Sequence, residues 1–199
     1  MTSLVLASGN AGKLREIEPL LVPLGWDVRP QSEWEFEEAV EDGLTFVENA
    51  LIKARHASAK TGLPALADDS GLLVDALDGQ PGLRSARYAD DGGSEANIRK
   101  LMDELSGVPE EERGAHFYCV MVFLRNPQDP APIVTHGQWM GRITTESVGV
   151  GGFGYDPVFF VEERGVTAAE LPAAVKNVIS HRGQALAHLL RVLRVHRPL

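Results

Sequence analysis

An α/β fold built on a mixed sheet is the class this sequence predicts, and three observations predict it. Strand-like apolar runs and amphipathic helical stretches interleave from end to end. Twelve Pro and twenty Gly among 199 residues imply several tight turns rather than a helical bundle. Apolar residues make up 44% and charged residues 24%, enough for a packed core and against global disorder. The length suits one domain spanning 1–199, or two closely packed lobes within it. No repeat, low-complexity tract or linker interrupts it.

Taken in order, Ser3 to Ala7 reads as a short strand, followed by the turn Ser8-Gly9-Asn10. A helix comes next, with Leu14, Ile17, Leu21 and Leu24 at near-helical spacing. Pro19 inside it should bend it or cost a hydrogen bond. Trp26 to Arg29 is a second strand, and Gln31 to Asp42 an acidic connection. Thr45-Phe46-Val47-Glu48 is a capping-box pattern, opening a helix that runs to about Lys60 and stops at Gly62. Ala65 to Ala67 and Leu72 to Ala76 are strand-like and flank Asp68-Asp69-Ser70-Gly71. Ser94 to Leu105 is an amphipathic helix. Phe117 to Leu124 and Pro132 to Thr144 form a long antiparallel pair joined by the turn-rich Asn126 to Pro130, a candidate for a separate lobe. Val158 to Val161, a short helix near Ala168 to Ala174, and a helix from Ser180 to about Val195 close the chain. Ligands favour the crevice between two lobes.

A formal net charge of −9 argues against polymeric nucleic acid, whose phosphate backbone needs a basic surface. A single nucleotide is not excluded, since a triphosphate needs few cations and a metal can supply the rest. Met1 to Ala7 lacks the basic and apolar stretches of a secretory signal. No window approaches the eighteen apolar residues of a membrane span. Cys119 is the only cysteine, which excludes an internal disulfide and a Cys-based zinc site, and in the run Phe117 to Leu124 it reads as a small buried hydrophobe. A cytoplasmic setting is expected.

Four segments carry chemistry. In Ser8-Gly9-Asn10-Ala11-Gly12-Lys13 a strand leads through a glycine turn into a helix whose first turn holds a lysine. Unpaired N–H groups and the helix dipole favour an anion there. The spacing is wrong for a P-loop, and an ordinary turn with a solvated lysine is the alternative. In Asp68-Asp69-Ser70-Gly71 two adjacent carboxylates follow an apolar strand, a costly crowding unless a cation is present. Hard oxygens without a His or Cys cluster suit Mg²⁺; an Asx-type turn is the alternative. From the acidic run 37–42, Glu41 is the candidate further ligand, standing just before the helix that carries Lys53. Gly149 to Pro157 contains a formal G-x-G-x-x-G, but a strand-like run follows it, so the dinucleotide context fails. Its glycines let the backbone approach a flat ligand, with Phe153 available to stack on a base. In Lys176 to Gly183, Ser180 is a sensible N-cap that places His181 and Arg182 in a helical first turn, against the dipole.

Together these segments resemble the inosine triphosphate pyrophosphatase family, in particular its bacterial non-canonical purine pyrophosphatases (XTP/dITP diphosphatases). The matching pieces are SGNAGK at 8–13, GLTFVENALIKA at 43–54, ADDSGL at 67–72, PGLRSARYA at 81–89, GGFGYDPVFF at 151–160 and SHRGQAL at 180–186. They occur in order and span nearly the whole chain; Pro19 is the departure. The resemblance implies an elongated α/β fold of two lobes with the active cleft between them, and a homodimer. It implies that Ser8, Gly9, Asn10, Ala11, Gly12, Lys13 and Lys53 hold the triphosphate. Glu41, Asp68 and Asp69 would manage Mg²⁺ and water, with Asp69 as general base and Ser70 beside the substrate. Phe153, Gly154, Tyr155 and Asp156, with Lys176, His181 and Arg182, would surround the base. The expected reaction is hydrolysis of XTP, ITP and dITP to monophosphate and pyrophosphate, with donors reading the 6-keto oxygen that adenine lacks. A nucleotide sensor, a Maf-like pyrophosphatase for modified pyrimidines and a sugar-phosphate phosphatase are the rivals. Metal-dependent turnover of ITP, a substrate panel and release of orthophosphate, respectively, discriminate them.

Overall fold

A computed structural model describes residues 2–8, 11–90 and 93–195, with the backbone alone at 11, 12, 15, 16 and 195. The elements are strand β1 (Thr2–Leu6), helix α1 (Ala11–Leu21), strand β2 (Trp26–Pro30), helix α2 (Phe46–Thr61), strand β3 (Ala65–Val74) and helix α3 (Gly93–Glu104). Strands β4 (Gly114–Leu124), β5 (Ile133–Ile143), β6 (Phe159–Val161) and β7 (Val166–Thr167) follow, then helices α4 (Ala173–Ile179) and α5 (His181–Val195). The strands form one seven-stranded sheet in the order β2-β1-β3-β4-β5-β6-β7. β1 runs parallel to β2 and β3, and β6 antiparallel to β5 and β7, so the sheet is mixed as expected.

The chain divides into two compact units, each with its own core. The first holds residues up to Asp69, Cys119–His136 and the chain from Gln184 on. Its core joins Leu4, Leu6, Trp26, Val28, Leu66, Met121 and Phe123 of the strands to Ile17 and Leu21 of α1 and Leu186, Leu189 and Leu193 of α5. The crossover β1→β2 moves one way across the sheet and β2→β3 moves back past β1 the other way, so two right-handed connections put α1 and α2 on opposite faces. On the α2 face the packing residues are small: Ala50, Ala54 and Ala57 are all buried. The second unit holds Ser70–Tyr118 and Gly137–Gly183. Its core centres on Phe117, Trp139 and Phe159, with ring centroids 4.6 Å apart for Phe117–Phe159 and 5.2 Å for Trp139–Phe159. Leu101 and Leu105 close it beside α3.

Local signals place several boundaries well. Thr45 caps α2, its Oγ1 accepting the Glu48 N–H at 3.3 Å, and Gly62 ends it in the left-handed region (φ 70°). The returning Glu48 carboxylate accepts from the N–H of Leu44, one residue earlier than a standard capping box. α1 ends two residues after Pro19, and Leu24 lies beyond it in a 3-10 turn closed by Gly25.

Two expectations are corrected. Asp68-Asp69-Ser70-Gly71 is no turn: β3 runs unbroken from Ala65 to Val74. The short helix near 168–174 lies at Ala173–Ile179 instead. Ala168 and Ala169 give their N–H groups to the carbonyls of Phe159 and Asp156, and Pro172 marks where helical geometry begins.

Candidate active site

In the first unit β1 pairs with β3 through Val5–Ala65 and Leu6–Leu66, and β3 then continues past the end of β1. The strand order reverses direction at β1, and the carboxyl end of such a switch point is where open α/β sheets bind ligands. Asp68 and Asp69 stand there. Successive strand residues point to opposite faces, so the two carboxylates diverge. Asp68 turns to the α1 face, where Lys13 Nζ donates to its Oδ1 at 2.6 Å. Asp69 turns to the α2 face, where Lys53 Nζ donates to its Oδ1 at 2.8 Å. The same ammonium lies 3.3 Å from Glu41 Oε2. Asp68 is 1% exposed.

The cluster joins three carboxylates to two ammonium groups. Burial pushes the Asp69 carboxyl above its ordinary value, Glu41 and Asp68 add to that, and Lys53 opposes it. For Lys53, burial works against the charge, but Asp69 and then Asp68 and Glu41 outweigh it and hold the ammonium above its ordinary range. The two shifts share one contributor, the crowding of carboxylates: it adds to burial in raising Asp69 and overcomes burial in raising Lys53. Among the described residues no three carboxylate, imidazole or thiol groups converge as a closed metal cage. A cavity of about 460 Å³ opens here, lined by Ser8, Lys13, Gln31, Glu38, Glu41, Lys53 and Asp68 among others.

Ser8 lies between β1 and α1, its N–H bonded to the Leu6 carbonyl at 2.9 Å. Ala11 and Gly12 open α1 and Lys13 is its third residue, at the end of the helix whose dipole favours an anion. Gly9 and Asn10 lie outside the described residues.

In the second unit Ser180 separates α4 from α5 with extended backbone, and its Oγ accepts the Gly183 N–H at 3.2 Å, the expected N-cap. His181 stacks on Phe117, with centroids 4.8 Å apart and planes 11° apart. Arg182 is 6% exposed and donates to Ser70 Oγ at 3.3 Å. Phe153 is 54% exposed. Lys176 Nζ sits 4.5 Å from its ring centroid and the Arg182 guanidinium 5.7 Å. Asp156, buried, is ion-paired to Lys176 and accepts the Phe153 N–H at 2.7 Å. Gly152 makes this possible: φ is +73°, and a side chain there would strike the Asp156 carboxylate. Gly154 also has positive φ. Tyr155 donates its buried hydroxyl to the Ser85 carbonyl at 2.8 Å. Asp156 and Tyr155 thus brace the loop that presents Phe153.

The fold therefore gathers Ser8, Lys13, Glu41, Lys53, Asp68 and Asp69 in one unit, and Ser70, Phe153–Asp156, Lys176, His181 and Arg182 in the other. Sequence reasoning missed Gln31 on the cavity wall and Ser85 behind Tyr155, though PGLRSARYA contains Ser85; from the acidic run 37–42 it chose Glu41, and Glu38 of the same run also lines the cavity.

Comparison with known proteins adds an independent finding. The model of the Ham1 family matches residues 4–192. The chain is 55% identical to the dITP/XTP pyrophosphatase of Shigella flexneri over 98% of its length and 99% of that protein. It is 56% identical to the dITP/XTP pyrophosphatase of Pectobacterium atrosepticum, with the same coverage. The solved HAM1 protein from Coxiella burnetii superposes with a TM-score of 0.93 at 48% identity, covering 98% of this chain and 100% of that one.

Proposed function

Because the chain belongs to the Ham1 family, we propose that it hydrolyses the non-canonical purine nucleoside triphosphates dITP, XTP and ITP to the monophosphate and pyrophosphate, clearing them from the nucleotide pool. The observation that carries this reading is one cluster: Lys13, Lys53, Asp68 and Glu41 line the cavity and half-buried Asp69 pairs with Lys53, giving cations for a polyphosphate and a carboxylate for water. Lys13 and the first-turn N–H groups of α1 hold the departing phosphates, and Lys53 holds phosphate beside Asp69. Asp69, with its carboxyl above the ordinary range, is a fitting proton acceptor. Water attacks the α-phosphorus, its proton passes to Asp69, and the bond to the bridging oxygen breaks as pyrophosphate leaves with that electron pair. General-base assistance of this kind contributes roughly 10²–10⁴-fold.

The donor set fits Mg²⁺: hard oxygens, a deficit of positive charge, and no closed protein cage, the pattern of an ion held by one or two carboxylates and completed by substrate phosphates. Glu41, Asp68 and Asp69 are the candidate ligands, of which one or two would hold it at a time, and it would supply charge neutralisation on the phosphates. In the second unit Phe153 offers a stacking face, with Lys176, His181 and Arg182 as donors for a 6-keto purine. No helix among the described residues is long and apolar enough to cross a membrane. We assign a cytoplasmic setting and a homodimeric state on the family resemblance; light scattering of the purified protein tests the second.

A panel of dITP, ITP, XTP, ATP, GTP and a modified pyrimidine triphosphate with Mg²⁺, monitored for monophosphate and pyrophosphate together, tests the activity. Equal production of both products from the first three supports it. Release of orthophosphate, or no turnover, overturns it.

A further inference from the structure

Glu41 sits in a segment, residues 35–43, that is neither helix nor strand, so something other than a backbone ladder must hold its carboxylate near Lys53. Helix α2 supplies the holds. The His56 Nε2 lies 2.7 Å from the Glu37 carbonyl oxygen, and a carbonyl can only accept, so this nitrogen carries the proton. The Phe36 ring meets the His56 ring edge-on at 5.5 Å. At the far end of the segment Asn49 Oδ1, on a residue 3% exposed, accepts the Gly43 N–H at 2.9 Å. Asn49, Lys53 and His56 are spaced by four and three residues, which puts them on one stripe of α2. One helical face therefore grips the segment before Glu41, at Glu41 and after it.

We infer that His56 is a positioning residue for Glu41, fixing the loop that carries this carboxylate into the phosphate cavity through the Glu37 carbonyl and the Phe36 ring. The inference rests on the reading of Glu41 as one of the carboxylates that manage the metal and water. Groups that orient a ligating carboxylate matter nearly as much as the carboxylate, and losing one typically costs 10–100-fold in affinity or activity. His56 suits the test better than Asn49, because it is only half-buried and its removal leaves no hole in the core.

Three variants decide it: His56→Ala, His56→Gln, whose amide can still donate to Glu37, and Glu41→Gln. Hydrogen exchange of the 37–44 amides is measured on metal-free protein, and dITP hydrolysis against Mg²⁺ concentration on the full chain. In His56→Ala the segment should exchange several-fold faster, and the Mg²⁺ needed for half-maximal rate should rise roughly 10-fold. His56→Gln should recover part of both, and adding His56→Ala to Glu41→Gln should raise the requirement little further, since coupled residues are not additive. Unchanged exchange in His56→Ala overturns the inference. So does faster exchange with an unchanged Mg²⁺ requirement while Glu41→Gln raises it. A Glu41→Gln enzyme with wild-type turnover and Mg²⁺ requirement removes the role of Glu41 itself, and that failure shows in this variant alone.

Discussion

Asp68 and Asp69 are neighbours in the chain yet answer to different helices, because a strand sends alternate side chains to opposite faces. Their substitutions should therefore differ in kind. Asp69→Asn keeps the shape and removes the proposed proton acceptor; kcat for dITP should fall at least ~100-fold with KM changed only a few-fold. A variant retaining a tenth of the wild-type rate would take the role of base away from Asp69. Lys13→Ala removes the ammonium beside a carboxylate that is nearly inaccessible to water. It should raise KM for the triphosphate and also lower the melting temperature, because a buried charge loses compensation. A large KM effect with no loss of stability would mean that the Lys13–Asp68 pair adds nothing to the fold.

Among the elements, α5 depends on a close approach at its first turn. A Cβ on Gly183 would press into the Asn177 carbonyl, which belongs to the backbone of α4 and cannot swing aside. Gly183→Ala should cost about 1–3 kcal/mol, as overpacking does, and displace His181 and Arg182 with it. Chemical denaturation and the dITP/dATP rate ratio together check this; wild-type values of both would show the helices can part freely. The turn between β4 and β5 carries a pH-dependent hold. Arg125 hydrogen-bonds Asp129, and the N–H groups of Arg125 and Ala131 add to it, keeping this carboxyl well below the usual carboxylate range. A depressed folded-state value stabilises above the unfolded pKa of about 3.9, and that stability is lost as pH falls through the folded value. The melting-temperature gap between wild type and Asp129→Asn should thus be full near pH 6 and shrink as pH drops below about 4. A gap independent of pH would exclude the charged pair as its source.

For the whole molecule the predictions concern which nucleotide is cut and where. dITP, ITP and XTP should exceed ATP in kcat/KM by orders of magnitude, because a polar mismatch in a buried site can reject the wrong group by ~10⁴–10⁵. Comparable values for ATP and ITP would remove the 6-keto argument. Hydrolysis of ITP in ¹⁸O-water should place label in IMP and none in pyrophosphate, if the lysine end of the cavity holds the leaving group and Asp69 the water as proposed. Label in pyrophosphate would reverse those assignments. EDTA should stop the reaction and Mg²⁺ restore it, and full activity in chelator would dispose of the metal.

What the sequence determined by itself is whatever short-range chemistry decides. The limits of α2 follow from Thr45, Glu48 and Gly62, and the start of α5 from Ser180, since caps act within a few residues. Alternation of strand and helix was enough for a mixed α/β sheet, and six ordered motifs were enough for the family. Tertiary structure decided the rest. Asp-Asp-Ser-Gly is turn-forming chemistry locally, yet it lies inside β3 with Lys13 and Lys53 brought from 55 and 16 residues away to its two carboxylates. Ala168 and Ala169 favour a helix, but distant carbonyls claim their N–H groups first. Gln31, Ser85 and His56 carry no signal of their own, because each matters only through a partner that the folded chain sets beside it: a cavity, the Tyr155 hydroxyl and the Glu37 carbonyl.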